Sequence, residues 1–493
     1  MSAPVSSAEV VEVAPPVRFA RTRVVLAGLV VVGVLVSLFA NCARTLTNTD
    51  TYFHLRFGQE FLDGWSLRHP GSVSTFATRD WVPTQWLSEI VMARTEEWFG
   101  LAGVAWLSGF LEIALFLALY VVCRDRAEPL VAAAVTATAL FAMQNGLSMR
   151  PQVVSYVLVA VVVGAWLRTR RDGRVRWWLI PLVWLWAMLH GMWPVALVIG
   201  GVAVVGLALD RAPRGLVMRA AGVPVASAVV AAFTPVGPRL YTEVAAVGSR
   251  SAYFAEWGSP DWTSGYAAAV GALFALTVIA MWRRRHNDWT EILLVALAAA
   301  FAIYSQRTVP VAAAMFAPLA AAPLQDLLGR RTPVVRGERL VVAGGAAVAL
   351  VALGVTVPHT SADPPHQAAW MDPALRALPP GTKVLDDWDQ GGYLMWRHPQ
   401  LDLMMHGYGD TFTTDELRRN VALIMVDPGW DASLRESGAR IALLRPWSRL
   451  ANQLTTREGW QVVHQSADLE LLRAPASWKS EGPAVAPGFG SAG

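Results

Sequence analysis

The chain has 493 residues, 54% of them hydrophobic and only 16% charged, with a mean hydropathy of +0.39 and a formal net charge of +4 at pH 7. Such an apolar content argues against a soluble enzyme, and its division into runs of about 15 to 20 residues between short arginine-bearing stretches is the pattern of a polytopic helical membrane protein. The positive charge is almost all arginine, with Lys383 and Lys479 the lysines, and its scatter over short loops argues against a nucleic-acid surface, which needs basic residues gathered on one face.

The first run, Val24 to Ala40, holds about 17 uncharged residues; at about 1.5 Å rise each they cover about 26 Å, close to a hydrocarbon core. Asn41 and Cys42 make a poor cleavage pattern and further spans follow, so the run reads as a signal anchor. Eleven spans are expected in all, at 24–40, 101–122, 130–146, 153–167, 177–190, 194–209, 217–233, 265–282, 290–304, 309–323 and 340–357. Their alternation gathers the arginine-rich stretches on one side, which the positive-inside pattern makes cytoplasmic: Arg18 to Arg23, Arg124 and Arg126, Arg168 to Arg176, Arg211 to Arg219, Arg283 to Arg285 and Arg330 to Arg339. The expected arrangement is a cytoplasmic tail 1–23, a transmembrane domain 24–357 and a C-terminus outside. Cys42 and Cys123 fall on opposite faces, so a disulfide between them is geometrically excluded in this topology.

The first outer loop, 41–100, opens with "NTDTYFHLRFGQEFLDG". Helical spacing puts Asp50, His54 and Gly58 on one face and Phe53, Phe57 and Phe61 in an apolar stripe, and turns Arg56 away. An acid at the end of a span beside His54 and Arg56 marks a site, because unpaired charge is costly at that depth. A second amphipathic piece carries Trp81, Gln85, Trp86 and Glu89; its tryptophans fit equally well as interface anchors.

Further polar residues stand at the outer ends of later spans: Arg150 in "SMRPQ", His190 in "HGMWP", Glu256 in "AEWGSPDW" and Arg307 in "SQRTV". Arginine suits a phosphate because its planar fork donates in parallel and stays charged. Each residue also has a plain structural reading. Arg307 can snorkel outward, Arg150 can cap a span end beside Pro151, His190 can be a satisfied core histidine, and Glu256 can sit on a solvated loop. Glu112 and Glu291 are acids inside the apolar spans without an obvious basic partner.

From about Pro358 the composition changes. "KVLDDW", "LDLMMHG", "RIALL", "WQVVHQ" and "LELLRA" read as strands and "TTDELRRNVALIM" as a helix, giving a small extracytoplasmic α/β domain over 358–475 and a disordered tail over 476–493. Asp386, Asp387 and Asp389 with Trp388 lie near a strand end, where open α/β sheets bind ligands, but they fit a packing loop as well; the Gly pair of "DQGGY" reads as a tight strand-to-helix turn. No HExxH, Walker loop or strand-borne GxGxxG is present.

The acid just after the first span, opening a short helix of the form D-x-Y-x-H-x-R-x-G, resembles the first outer loop of the GT-C class of polytopic glycosyltransferases. The resemblance implies an all-α polytopic membrane domain of about eleven transmembrane helices with a small C-terminal extracytoplasmic α/β domain, set in a bacterial plasma membrane. It implies transfer of a sugar from a polyprenyl-phosphate donor to a glycan, lipid or protein acceptor of the cell envelope, with Asp50 as the catalytic base or as a holder of metal and acceptor. Arg56, Arg150 and Arg307 are then candidates for the donor phosphate, and His54, Glu89, His190 and Glu256 for lining the cleft. Many members carry a second acid after the first, where this chain has Thr51; the residues fix no cofactor, and a divalent cation such as Mg or Mn stays open. A transporter or lipid flippase and a non-catalytic envelope scaffold are the other classes that the composition allows, although polar groups gathered at one face suit surface chemistry better than passage.

Overall fold

In hydrocarbon every backbone N–H and C=O must be satisfied within its own segment, so long apolar runs fold as helices. The computed structural model describes residues 17–250, 253–329, 337–364 and 370–479. In chain order the helical part comprises α1 (Val17–Cys42), α2 (Thr49–Leu62), α3 (Trp86–Arg124), α4 (Pro129–Ala142), α5 (Gln152–Asp172), α6 (Leu179–Leu189), α7 (Pro194–Leu209), α8 (Arg214–Ala231), α9 (Leu240–Arg250), α10 (Gly265–Trp282), α11 (Trp289–Tyr304), α12 (Val309–Leu328) and α13 (Gly345–Thr360). All but α2 and α9 fall on the expected spans. Seven segments are long and apolar enough to cross a membrane, namely Thr22–Cys42, Trp86–Arg124, Gln152–Asp172, Arg214–Ala231, Gly265–Trp282, Gln306–Leu328 and Leu340–Thr360; the chain is a multi-pass membrane protein. The shorter apolar helices are α4, α6, α7 and α11.

Ion pairs tie the arginine-bearing ends of these helices into one layer. Arg23 reaches Glu128 at 3.1 Å, Arg124 reaches Glu338 at 2.6 Å, and Arg170 reaches Asp210 at 2.8 Å and Asp288 at 2.7 Å. Glu291, expected to lack a basic partner, is clasped here by Arg126 and by Arg284 at 3.1 Å. Arg126 comes from a loop 165 residues away, which linear spacing does not reveal, while Arg284 lies in the loop just before α11. Glu112 takes the Asn41 amide at 3.1 Å instead. Cys42 and Cys123 are both buried free thiols.

Helix α3 begins well before the expected span. Gly100 (φ 64°, ψ −168°) breaks it, so that Trp86–Phe99 forms an arm set off from the apolar remainder. Against this arm lies α2, with Gly58 at the crossing: a Cβ there would stand 2.1 Å from the Glu89 carbonyl oxygen. Helix α2 starts at Asn48, whose side-chain oxygen accepts from the Asp50 N–H at 2.9 Å, a helix N-cap.

The C-terminal part adds α14 (Asp372–Arg376), α15 (Trp388–Arg397), α16 (Thr414–Met425), α17 (Trp430–Ser437) and α18 (Arg449–Thr456) around five strands: β1 (Lys383–Asp386), β2 (Asp402–Leu403), β3 (Ile441–Leu444), β4 (Gln461–Gln465) and β5 (Glu470–Arg473). The sheet order is β2-β1-β3-β5-β4; β1 runs parallel to β2 and β3, and β5 antiparallel to β3 and β4. Every expected strand is present, and α16 opens with a capping box of Thr413 and Glu416. Two expectations are corrected. The segment read as tail from 476 begins inside the fold, since Trp478 is buried against Trp460 with ring centroids 5.5 Å apart; 480–493 lie outside the described residues. The Gly pair does not make a turn but sits within α15.

That helix explains the pair. A Cβ at Gly392 would stand 2.2 Å from the Thr49 carbonyl oxygen, and one at Gly391 2.4 Å from the His406 Cα. Only glycine lets α15 press on α2 from one side and on the chain after β2 from the other. The contact continues as a shared core in which Tyr52, Phe53 and Phe57 of α2 meet Tyr393, Leu394, Leu403 and Tyr408. A Gly392→Val chain is expected to lose about 1–3 kcal/mol through overpacking, read as earlier proteolysis of the C-terminal part with the membrane helices still protected.

Asp386 at the end of β1 is fully buried, and its carboxylate accepts from the Met405 N–H at 2.8 Å. Burial raises its pKa to about 8. The folded state thus keeps a proton that the unfolded chain releases near pH 4, and stability of this domain is expected to fall as pH rises from about 4 to 8. Asp386→Asn should flatten that dependence in hydrogen-exchange measurements across the range.

Candidate functional site

At the end of the helices remote from the arginine layer, a cavity of about 570 Å³ opens between the membrane helices and the C-terminal domain. Asp50, His54, Arg150, His190, Glu256 and Arg307 all line it. They arrive from five separate chain segments: α2 carries the first two, and the others stand at or beside helix ends.

Asp50 lies in the first turn of α2, where the positive end of the helix favours a carboxylate. Its Oδ2 accepts from Arg150 Nη1 at 2.8 Å, and Arg150 Nε donates to Ser148 Oγ at 2.9 Å. Asn48 Nδ2 donates to the same Ser148 hydroxyl at 3.2 Å, and Thr51 Oγ1 to the Met149 carbonyl at 2.9 Å, so the loop before α5 is stitched to the start of α2. Glu256 stands 3.9 Å from Arg150 Nη1 and forms an ion pair with Arg307, whose guanidinium lies over the Trp257 ring. The Asp50 carboxylate remains 37% exposed to the cavity and Arg150 16%. The result is an alternating row, Asp50, Arg150, Glu256, Arg307. A recess of about 90 Å³ adjoins it, sharing Arg150, Glu256 and Arg307 and closed by Tyr156, Tyr266 and Pro310.

His54 and His190 are both buried at the cavity wall. His54 Nδ1 lies 2.9 Å from Glu89 Oε1, on the arm of α3. Glu89 is thus behind the histidine rather than among the cavity-lining side chains. His190 Nδ1 lies 2.8 Å from Ser155 Oγ, which accepts from Trp186 Nε1 at 2.8 Å. The imidazole of His54 is held well below its ordinary pKa by burial first and then by Arg150, His190 and Arg307.

Arg56 is not brought to this place. It forms an i,i+4 ion pair with Glu60 at 2.5 Å, on the side of α2 to which the helical step turns it. The opposite wall is completed by Gln85, Tyr253, Tyr408 and Asp410, together with Trp388 and Asp389 of the strand-end group that the sequence offers as a ligand site. Gln85 Nε2 donates to the Tyr408 hydroxyl at 3.1 Å, and Asp389 forms an ion pair with Arg445. Trp388 and Asp389 follow β1, and Tyr408 and Asp410 follow β2, so both groups stand beyond the carboxyl ends of neighbouring parallel strands. The sequence carries that signal in "HGYGD" after β2 as it does in "LDDWDQ" after β1.

A divalent cation finds no preformed ligand set: among the described residues no three His, Cys, Asp or Glu side chains stand together as one. The two carboxylates nearest the centre, Asp50 and Glu256, are engaged by guanidinium groups.

No protein-family model and no curated protein sequence matches the chain. Among solved structures it is similar to the oligosaccharyltransferase of Archaeoglobus fulgidus in the apo form, with TM-score 0.54 and 10% identity, over 87% of this chain and 70% of that one. It is also similar to ArnT of Cupriavidus metallidurans in the apo state (TM-score 0.49, 15% identity, 92% and 98% covered) and to the same protein bound to undecaprenyl phosphate (TM-score 0.49, 16% identity, 94% and 99% covered). The likeness to the oligosaccharyltransferase is one of fold, and that fold is the GT-C fold anticipated from the first outer loop.

Proposed function

We propose that this chain is a membrane glycosyltransferase that moves a sugar from a polyprenyl-phosphate donor to a cell-envelope acceptor at the outer face of a bacterial plasma membrane. One observation carries the reading: a single cavity at one end of the helices holds a partly exposed acid, Asp50, and two arginines, Arg150 and Arg307. Glycosyl transfer from a lipid phosphate needs those groups together at headgroup depth, a carboxylate to hold the acceptor hydroxyl and cations to receive the departing phosphate.

In this reading the donor phosphate displaces Glu256 from the guanidinium groups of Arg150 and Arg307. The His190 ring lies beside them and adds a hydrogen bond. The acceptor hydroxyl lies on Asp50, with the rest of the acceptor against Trp388, Asp389 and Tyr408. Its proton passes to the Asp50 carboxylate as its oxygen forms the bond to the anomeric carbon and the bond from that carbon to the phosphate oxygen breaks, the electron pair leaving with the polyprenyl phosphate.

The test is direct. Full-length protein in vesicles receives undecaprenyl phosphate carrying radiolabelled hexoses or pentoses, together with an envelope extract. Label is expected to enter an acceptor only with intact Asp50; no transfer from any donor, or transfer indifferent to Asp50, overturns the reading.

A further inference from the structure

We infer that a basic hollow in the arginine layer, at the opposite end of the helices from the cavity, holds the phosphate of an anionic membrane lipid. The hollow measures about 490 Å³ and opens where α10 and α12 end, lined by Arg283, Arg284, Arg285, His286, Asp326 and Leu327. None of these residues lines the cavity that contains Asp50, so the inference stands apart from the glycosyl-transfer reading.

The local fold gathers the arginines. Past Trp282, the last residue of α10, the Arg283 and Arg284 N–H groups still donate to the Ile279 and Met281 carbonyls at 3.2 and 3.1 Å. The Asn287 side-chain amide donates to the same Met281 carbonyl at 2.7 Å, which turns the loop back onto the helix end. Arg284 is the fixed member: it reaches Glu291 of α11 at 3.1 Å and Asp326 of α12 at 2.7 Å, joining two walls of the hollow. Because Arg126 also reaches Glu291, two guanidinium groups there stand against two acids. Arg283 and Arg285 are left over. Both are exposed, and among the described residues neither has a carboxylate partner, whereas Arg124, Arg168, Arg170 and Arg171 of the same layer each face an acid.

Surplus guanidinium charge in a hollow suits a phosphodiester, whose two free oxygens accept in parallel from a planar fork. The apolar surroundings select a lipid over a dissolved anion. Leu276, Ile279 and Arg283 are spaced i, i+3 and i+7, so one exposed stripe of α10 runs from apolar side chains to a guanidinium group. An acyl chain lying along that stripe brings its phosphate to the depth of Arg283; a free phosphate gains nothing from it. Trp282, 83% exposed, and Trp289 flank the loop as indoles do at headgroup depth, and Leu327 and Leu328 are exposed at the end of α12. Basic hollows between membrane helices on the arginine-rich side take anionic headgroups in this way.

The test uses full-length protein in neutral detergent, titrated with phosphatidylglycerol, with phosphatidylcholine, and with glycerophosphoglycerol as the soluble headgroup alone, bound molecules being counted by native mass spectrometry. Phosphatidylglycerol is expected to bind saturably, and the double variant Arg283→Gln/Arg285→Gln to weaken that binding about 30-fold. Arg214→Gln/Arg219→Gln, which removes the same charge from exposed positions on α8, should leave it nearly unchanged. Equal losses in the two double variants mean a diffuse surface field, phosphatidylcholine bound as tightly as phosphatidylglycerol means that the arginines do not select charge, and glycerophosphoglycerol bound as tightly as the lipid means a free-anion site. Each of these results overturns the inference. Both double variants are expected to melt like the wild type before lipid is added; should Arg283→Gln/Arg285→Gln not fold, Arg285→Gln alone decides, with an expected weakening of about 5-fold. Sugar transfer plays no part in these measurements, so a failure of the transferase reading is told apart from a failure here.

Discussion

An Asp50→Asn chain is expected to insert normally and to transfer sugar about 10²–10⁴-fold more slowly than the wild type. Asparagine keeps the volume and the place in the first turn of α2, and the Asn48 cap uses the backbone N–H of residue 50, which the change leaves untouched. What is lost is the charge that holds the acceptor hydroxyl and opposes Arg150. The pair is 37% exposed on the acid's side, so its loss costs stability only about 0–1 kcal/mol. Label transfer at saturating donor, set beside a thermal melt of the same preparation, separates the two effects. Full activity in a well-folded Asp50→Asn protein removes the central claim.

Arg150→Met should be nearly as damaging, for the opposite electrostatic reason. Arg150 lies between two acids, 2.8 Å from Asp50 and 3.9 Å from Glu256. Without it both carboxylates face the place proposed for the phosphate, and like charges repel the donor before the chemistry begins. The expected outcome is a fall of about 10²–10³-fold in kcat/KM for the donor, much of it as a raised KM. Arg150→Lys should recover only part, because an ammonium on a flexible stem cannot hold Ser148, Asp50 and a phosphate at once. A donor KM unchanged in Arg150→Met would place the phosphate elsewhere.

The apolar helices could be read from the chain because hydrocarbon-length runs leave no other fold for the backbone. Asp50 was legible for a related reason: an acid at the mouth of a span is conspicuous against apolar neighbours. The helical step of about 100° per residue set His54 beside Asp50 and turned Arg56 aside, and the structure has Arg56 on Glu60. Partnerships across the bundle were not legible. Nothing in the spacing joins Glu291 to Arg126, 165 residues away, or Asn48 to Ser148, 100 away. The cavity wall of Trp388, Asp389, Tyr408 and Asp410 was hidden differently. Its residues look like ordinary strand-end loops until the glycines at 391 and 392 allow α15 to reach α2.

That wall also has a consequence for the order in which the protein is made. The guanidinium of Arg307 is synthesised 103 residues ahead of Asp410, an interval of roughly 5–20 s at the usual pace of a ribosome. During it the membrane already holds Asp50, Arg150, His190 and Arg307 without the surface that closes over them. On the proposed function a nascent chain would take hold of a lipid phosphate before residues 388–410, which would seat the acceptor, have folded against these groups.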